Sequence, residues 1–398
     1  HLSIRRQRQM CIRDRSRFLL LATGGSGRLF ATTSNSWDLT GDGMALALKA
    51  GLQLEDCEFI QFHPTGLAHT GILLSEAARA EGGVLRNSNG EAFMKKYDEV
   101  HADLAPRDVV SRAIAQEIRE GRGVNDSTTT QQSNSHNDCV WLDMTHISRE
   151  NMLEYLPQVT ETIEKYAHLD PTCDLVPIRP TAHYTMGGIP ITLDGKVYRW
   201  QNNNQTIVYG LYAAGECSCV GVHGANRLGG NSLLDACLFG NRAGATIAKE
   251  LKNLNKDDET NSNKTNETNE TNTTFSNNTA LQVLYKQRNN ELNQLMKTSA
   301  NQATDFTDNS YNDEFSQIEE EYNPYKLFAD LGKIMENAVA ISCDEQSIKE
   351  ALNEIQEFID PKIQSLHIHS NNLVFNQEIT AIWEIKNMSL LALSLIHI

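Results

Sequence analysis

Two kinds of hydrophobic pattern occur along the first two thirds of the chain. The short apolar runs 17–25 and 207–216 end at glycines, which is typical of buried parallel strands that end in ligand-facing turns. The run 58–66 is a further predicted strand, expected to stop at its His-Pro pair. A run with apolar residues three or four positions apart, at 231–251, predicts a helix that follows the second glycine-ended strand.

The last third of the chain has a different pattern. Residues 252–280 are dominated by Asn and Thr, with a repeated Thr-Asn-Glu triplet, and cannot bury enough apolar surface to order. We therefore expect a flexible linker there. Beyond it, apolar residues recur at helical spacing and predict the core-facing stripes of a helical domain. The stripes are Leu327, Leu331, Met335 and Val339, then Ile348, Leu352, Ile355 and Ile359, then Phe375, Ile379, Ile382 and Trp383.

Composition narrows the classes of function. With 398 residues the chain is long enough for two or three domains, and its net charge of −16 argues against nucleic acid as a partner. No run of eighteen apolar residues occurs, so no direct membrane span is expected. The eight cysteines are scattered without metal-ligand spacing, which predicts mostly buried free thiols and no metal site.

Both ends of the chain lack a core-facing pattern. Residues 1–15 are Arg-rich and aperiodic, and residues 394–398 show no anchoring feature. Both resemble translated adapter sequence, so we expect residues 1–15 to be a non-native end and leave both segments out of the fold prediction.

The glycine-rich stretch 223–235 combines a histidine, an arginine and a helix start within thirteen positions. Asn231 and Ser232 stand directly before an apolar-periodic run and predict a helix N-cap. A helix N-terminus favours an anion or a ring oxygen that gains negative charge. Arg227 would point its fixed charge at a ligand above that helix, although a surface arginine in a glycine-rich loop is an equal alternative at this point.

His63 and His183 each stand in a segment bounded by proline or glycine, which predicts a turn. A histidine held in a turn is a candidate ligand for a carboxylate. A lone histidine is more often a satisfied polar residue, and this alternative stays open for each of them.

Two predicted helices carry charged residues at their first turns. Ser75 caps a short helix on which Glu76 and Arg79 lie three positions apart and can pair. Pro106 fits the first turn of the other helix and places Arg107 at its N-terminal end. An arginine there opposes the helix dipole, which suggests a role beyond stability.

Taken together, these features predict two adjoining sites. Strand-end glycines, a buried carboxylate and a helix start are typical of a nucleotide cofactor held at the carboxyl ends of a parallel sheet. Five cations and donors at turns or helix starts suit a small dicarboxylate, because each carboxylate needs more than one donor to replace its water. Asp42 could hydrogen-bond the nucleotide or simply cap its helix. The cofactor candidates are Gly24, Gly25, Asp42, Glu216 and Ser232, and the dicarboxylate candidates are His63, Ser75, Arg107, His183 and Arg227.

Seven motifs give a specific family resemblance. Their order and spacing over residues 16–250 resemble the flavoprotein subunit of succinate dehydrogenase and fumarate reductase, and the region after residue 281 resembles the C-terminal domain of that family more weakly. The motifs are Ala22-Thr-Gly-Gly25, Thr40-Gly-Asp-Gly43, Gln61-Phe-His-Pro-Thr-Gly66, Pro106-Arg-Asp108, Thr181-Ala-His-Tyr-Thr-Met-Gly-Gly188, Ala214-Gly-Glu216 and the 223–235 stretch.

The resemblance implies FAD as the cofactor and a role for each motif residue. FAD would contact Asp42, Glu216 and the helix start at Ser232 and Leu233, near the pyrimidine end of the flavin. Substrate carboxylates would be held by His63, Ser75, His183 and Arg227. The family usually has threonine where Ser75 stands, and serine keeps the hydroxyl.

The implied reaction interconverts succinate and fumarate. Hydride from flavin N5 would attack one alkene carbon, and Arg227 and His183 would stabilise the charge that develops on the adjacent carboxylate. Arg107 would protonate the other carbon. Glu76 and Arg79 match the family's proton relay to solvent.

The implied architecture is an α/β, Rossmann-like FAD-binding domain, incomplete at its N-terminus, with an α+β capping domain and a C-terminal helical domain. The segment that often bonds FAD covalently is absent from the sequence, as is the N-terminal glycine fingerprint. The expected segments are 16–58 and 183–251 for the FAD-binding domain, 59–182 for the capping domain, 252–280 for the linker and 281–398 for the truncated helical domain.

The resemblance also implies partners and a location. An iron–sulfur subunit and a membrane anchor would exchange electrons with a quinone, at the cytoplasmic face of a bacterial membrane. Two alternatives stay open. L-Aspartate oxidase shares this architecture and the His-Gly-Ala-Asn-Arg core, and a non-catalytic flavoprotein scaffold would keep the fold alone.

Overall fold

The computed structural model describes residues 16–126, 137–262, 286–295, 323–368 and 376–397. Elements are numbered in chain order. The strands are β1 (Leu19–Leu21), β2 (Ile60–Leu67), β3 (Val84–Arg86), β4 (Val140–Asp143), β5 (Val176–Thr185), β6 (Ile189–Pro190), β7 (Lys196–Gln201), β8 (Asn204–Ala213) and β9 (Ser218–Cys219). The helices are α1 (Asp42–Lys49), α2 (Ala77–Ala80), α3 (Met94–Tyr97), α4 (Arg107–Glu117), α5 (Arg149–Tyr155), α6 (Pro157–Tyr166), α7 (Asn231–Ser262), α8 (Pro324–Val339), α9 (Glu345–Glu354), α10 (Asp360–Ser365) and α11 (Gln377–His397).

A three-stranded sheet in the order β1-β8-β7 holds the two glycine-ended strands. β1 and β8 pair in parallel, as predicted, so their carboxyl ends meet at one edge. The prediction that both strands are buried is wrong, because Leu19 is 56 % exposed and Tyr209 is 70 % exposed. An apolar run predicts a buried strand only where another layer covers it, and most of β1 and the first half of β8 are exposed in the described residues.

The four-stranded sheet β2-β5-β4-β3 is antiparallel and belongs to a second core. The buried residues of this second core all lie between Leu67 and Ile178, within the segment predicted to form the capping domain. α4 packs on β2 and buries Val110, Ala113 and Ile114.

His63 and His183 lie inside strands and not in turns, which corrects the prediction for both. His63 lies in β2 and pairs with Thr181, two positions before His183 on β5. Pro64 is tolerated in β2 because the register is irregular between His63 and Gly66, where its missing N–H breaks no ladder bond.

α7 begins beside the predicted position and is longer than predicted. Its first residue is Asn231, so Ser232 lies in the first turn and is not the N-cap. The helix was expected to end near Leu251 but continues to Ser262, because extending an existing helix costs little even through polar sequence. The rest of the predicted linker, 263–280, lies outside the described residues.

The predicted helical stripes are confirmed where they are described. Leu331, Met335 and Ile382 are buried in a core that they share with Phe30 and Met44, which belong to the segment predicted to form the FAD-binding domain. Phe375 lies outside the described residues. α11 carries buried Leu395 and Ile396, so residues 394–397 are anchored, and the expectation of a loose end is wrong.

Among the described helices, α11 alone has the length and mean hydropathy, 1.4, of a membrane-spanning helix. Of its most apolar eighteen residues, 61 % are buried inside the protein. α11 packs on α1 and α8, which is the setting of a core helix.

The three parts of the chain meet at one carboxylate on α8. Glu336 accepts hydrogen bonds from the Thr32 amide at 2.7 Å and from Arg179 of β5 at 2.6 Å. Since Arg179 belongs to the same strand as His183, this contact joins α8 to the strand that carries His183.

Candidate active site

A cavity of about 540 Å³ opens where the parallel strands β1 and β8 end. Its walls include Gly24 after β1, Gly215 and Glu216 after β8, and Ser232 in the first turn of α7. A cavity at the carboxyl ends of parallel strands, facing a helix N-terminus, has the geometry that binds an anionic or electron-rich cofactor. The predicted cofactor position is therefore an open space of ligand size.

Glu216 is the carboxylate of this cavity. Burial raises the pKa of the Glu216 carboxyl to about 7, and the Thr185 amide, which donates to Oε1 at 2.9 Å, opposes that rise. Gly25 lies against the same group, because a Cβ at Gly25 would fall 2.3 Å from Oε1. A side chain at position 25 would displace the carboxylate, so glycine is required at this position by its contact with Glu216.

His63 and His183 form an edge-to-face pair with ring centroids 5.5 Å apart. Burial, and then the nearby Arg107, lowers the pKa of His63 well below its usual value. The same two causes lower the pKa of His183 to about 4. Both rings are neutral at pH 7. Ser34, which sequence analysis missed, lies 2.8 Å from His183 Nδ1 through its hydroxyl and so fixes the ring's orientation.

Arg107 is the first residue of α4, directly after Pro106, as predicted. Its Nε donates to Glu76 Oε1 at 2.7 Å, and this ion pair offsets the unfavourable helix dipole. Arg79 pairs with the same Glu76 oxygen at 3.6 Å, which confirms the predicted spacing. The Arg107 hydrogen bond holds the pKa of Glu76 below its usual value. Arg79, Glu76 and Arg107 thus form a continuous chain.

Gln61 links the two site arginines and was not predicted. Its Oε1 accepts from Arg107 Nη1 at 3.0 Å and from Arg227 Nη2 at 3.1 Å. Only 3 % of Gln61 is exposed, so these bonds are shielded from water, which strengthens them. The signal that could have found it is its position two residues before His63, on the same face of a strand.

Arg227 lies at the wall of the cavity and is 4 % exposed. Its guanidinium lies over the ring of Tyr184, 4.4 Å from the centroid, and Nε has no hydrogen-bond partner among the described residues. The Tyr184 hydroxyl in turn donates to Asp235 Oδ2 at 3.3 Å and lies 3.2 Å from His223. No local sequence pattern predicts this supporting network, because its three members lie on separate elements.

The charges around the site favour a dianion. Three buried or half-buried arginines, Arg79, Arg107 and Arg227, lie around the Glu76 carboxylate, and burial favours the neutral form of both histidines. Burial, and then the positive charge of Arg107, lowers the pKa of the Arg227 guanidinium. A pair of carboxylates placed beside these arginines would offset their mutual repulsion.

Three predicted residues lie apart from this group. Asp42 accepts from Asn387 of α11 at 2.6 Å and does not line the cavity. Ser75 is exposed, and its hydroxyl accepts from the Ala77 amide at 3.3 Å. Leu233 is 72 % exposed, whereas its neighbour Ser232 lines the cavity. The ligand roles of these three residues stay predictions.

The buried Glu216 carboxyl predicts a pH-dependent stability of the flavin-free protein. Because its pKa is raised from 4.5 to about 7, the contribution of Glu216 to stability is fully present below pH 4.5 and is lost as pH rises through 7. Glu216→Gln stays neutral and should recover up to about 3 kcal/mol at pH 8 and little at pH 4.5. The check is the thermal midpoint of both proteins at these pH values. Glu58→Gln at an exposed carboxylate is the control, and equal shifts for the two variants would contradict the prediction.

Comparison with known families agrees with this geometry. Residues 3–233 match the family described as FAD binding domain, and residues 328–397 match the family described as fumarate reductase flavoprotein C-term. The first match includes the strands and the helix start that line the cavity. The second covers most of α8 and all of α9 to α11.

Curated relatives and solved structures point the same way. The succinate dehydrogenase flavoprotein subunit of Rickettsia felis is 48 % identical over 238 residues, 60 % of this chain and 38 % of that protein. The fumarate reductase flavoprotein subunit of Mycobacterium tuberculosis is 34 % identical over 388 residues, 95 % of this chain and 58 % of that protein. The structure of Escherichia coli quinol fumarate reductase superposes with a TM-score of 0.75 at 30 % identity, covering 96 % of this chain and 58 % of that one. The chain thus spans well under two thirds of each.

Proposed function

The chain belongs to the family of FAD-binding flavoprotein subunits of succinate dehydrogenase and fumarate reductase, and we propose that it interconverts succinate and fumarate. The observation that carries the proposal is the meeting of Arg107, Arg227, His63 and His183 beside the cofactor cavity. A scaffold protein that kept only the fold would need none of these groups.

The residues around the cavity fit FAD. Gly24 and Gly215 have positive φ, 75° and 73°, and let the chain turn at the strand ends. Ser232 places the first turn of α7 at the cavity wall, where the positive end of the helix dipole favours a ring that gains negative charge. When bound, the flavin supplies hydride transfer. Glu216, with its pKa about 7, can hold a proton or accept a hydrogen bond from the cofactor at neutral pH.

The substrate dicarboxylate would be held by Arg227, His183 and His63, with Ser75 as a further donor. Arg227 offers an unpartnered buried Nε and a guanidinium that Tyr184 and Gln61 hold in place. Because both histidines are neutral, each binds through an N–H and not through charge. Charge that develops on the carboxylate during the reaction would be stabilised by Arg227, which is already oriented.

Arg107 would exchange the proton with the substrate carbon. Its Nε donates to Glu76 and its Nη1 donates to Gln61. The remaining nitrogen, Nη2, faces the loop that carries Arg227 and lies 3.7 Å from the position that a Cβ would take at Gly229. Glu76, with 43 % of its side chain exposed, reaches solvent and can return the proton. The hydrogen bond from Arg107, and to a lesser extent the charge of Arg79, lowers the pKa of Glu76 and favours its ionised form.

We further propose that electrons pass between this chain and an iron–sulfur subunit, and then a quinone, at the cytoplasmic face of a bacterial membrane. The long apolar helix α11 is mostly packed in the core of the described structure, so this helix is not the proposed attachment to the membrane, and a partner subunit is.

A two-substrate assay tests the proposal. Fumarate is added to the anaerobic FAD-loaded protein with reduced viologen, and L-aspartate is added in air while hydrogen peroxide is measured. Oxidation of the viologen without peroxide is expected. Peroxide from aspartate would assign the chain to aspartate oxidation instead, and no reaction with either substrate would support the non-catalytic scaffold.

A further inference from the structure

The loop that carries Arg227 has few anchors of its own. Gly224 and Gly230 lie on either side of it with φ of 54° and 80°, and Leu228 is 70 % exposed. A glycine-rich loop on a surface keeps much conformational freedom. Even so, Arg227 must hold one guanidinium position for its unpartnered Nε to face a ligand, so contacts from other elements have to fix it.

Two neighbouring residues form a hydrogen bond across the domain boundary. Asp108 follows Arg107 on α4 of the capping domain, and Asn226 precedes Arg227 in the loop. Asn226 Nδ2 donates to Asp108 Oδ1 at 2.9 Å. The bond therefore joins the two chain segments at positions adjacent to both arginines.

Gln61 extends this bond into a directed chain. Its Nε2 donates to Asn226 Oδ1 at 2.8 Å and to the Arg227 carbonyl at 2.6 Å, while its Oε1 accepts from both arginines. Guanidinium groups only donate, so the Gln61 oxygen must face them and its amide hydrogens must face Asn226. Asn226 is then left with hydrogens to donate, and only an acceptor such as the Asp108 carboxylate can receive them.

We propose that Asp108 and Asn226 are positioning residues that, with Gln61 between them, set the spacing of Arg107 and Arg227 when the capping domain lies against the loop. We call these three residues the clasp. They line a cleft of about 130 Å³ that shares no lining residue with the cofactor cavity, so the clasp acts from behind the arginines and does not touch the flavin site. The consequence for turnover rests on the proposed function.

A charge-swap pair tests the clasp in the FAD-loaded protein. Asn226→Asp places a second carboxylate against Asp108 and breaks the bond by repulsion. The double variant Asp108→Asn with Asn226→Asp restores it with the donor reversed, because the amide at 108 now donates to the carboxylate at 226, which still accepts from Gln61. A misplacement of about 1 Å can cost about 100-fold in rate, so the single variant should lose about that factor in kcat and the double variant should recover to within about tenfold of wild type.

Backbone hydrogen exchange of residues 107–110 and 224–229 is measured beside turnover. Faster exchange in the single variant and recovery in the double variant are expected. Arg112→Ala is the matched control, because Arg112 binds the other Asp108 oxygen at 2.6 Å and is exposed, and turnover there should stay within about twofold. Wild-type exchange and turnover in the single variant, or a double variant no better than the single, would overturn the proposal.

Failure of a variant to load FAD and absence of activity in the wild type each have a distinct meaning. If Asn226→Asp does not load FAD, Asp108→Ala and Asp108→Asn replace it, because only the second keeps an oxygen for Asn226 to donate to, and equal turnover of the two would overturn the clasp. If wild type acts on neither succinate nor fumarate, the proposed function fails, whereas the exchange comparison still decides the clasp.

Discussion

Replacing Arg107 with alanine is expected to lower turnover by about 10²–10⁴-fold, the range for loss of a positioned proton donor. Arg107 does not line the flavin cavity, so FAD should still bind. Arg227 keeps its hydrogen bond to Gln61 and its position over the Tyr184 ring, so the dicarboxylate should still bind as well. The measurement is fumarate reduction by reduced viologen, beside the flavin spectrum titrated with malonate, a non-reacting dicarboxylate.

Arg107→Lys separates charge from geometry. Lysine keeps the cation but cannot direct one nitrogen to Glu76, one to Gln61 and a third to the substrate, as the guanidinium fork does. We expect malonate binding close to wild type and turnover close to that of the alanine variant. Turnover near wild type in either variant would remove Arg107 from the proton path.

Glu117→Ala is expected to lower the free energy of unfolding by about 3–5 kcal/mol, the cost of removing one partner of a buried ion pair. Glu117 ends α4 and is 1 % exposed. It accepts from Arg122 at 2.5 and 2.7 Å and from Tyr97 at 2.6 Å. Urea unfolding of the FAD-loaded protein measures the change, and because α4 carries Arg107 at its other end, turnover should also fall.

Glu120→Ala is the control for Glu117. Glu120 binds the same Arg122 but is 38 % exposed at its side chain, so its loss should cost about 0–1 kcal/mol. The Arg122 hydrogen bonds lower the pKa of Glu117 to about 2, so its contribution is fully present above pH 4.5 and is lost as pH falls through 2. The deficit of Glu117→Ala should therefore shrink between pH 5 and pH 3. Equal deficits for the two variants would contradict the buried-pair account.

Local sequence rules predicted the site residues that open helices. Pro106 and the apolar spacing after it place Arg107 at the start of α4, and the 3-residue spacing pairs Glu76 with Arg79. Each of these features depends on residues within one turn of a helix, which is why a pattern along the chain is enough to find them.

Features that depend on distant pairing could not be predicted in this way. His63 and His183 were expected in turns because proline and glycine stand near them, but strand pairing at an irregular register accommodates Pro64. Gln61 was overlooked because its importance comes from two arginines 46 and 166 positions away. The prediction that β1 and β8 are buried was wrong because an apolar run does not show whether another layer covers the strand.

The antiparallel pairing of β2 and β5 has a consequence for how this region can vary over evolution. Side chains alternate between the two faces of a strand, so a one-residue insertion or deletion moves every later side chain to the opposite face. On β5 such a change would separate Arg179, which binds Glu336, from His183, which lines the cavity. The number of residues between these two positions therefore has to stay constant.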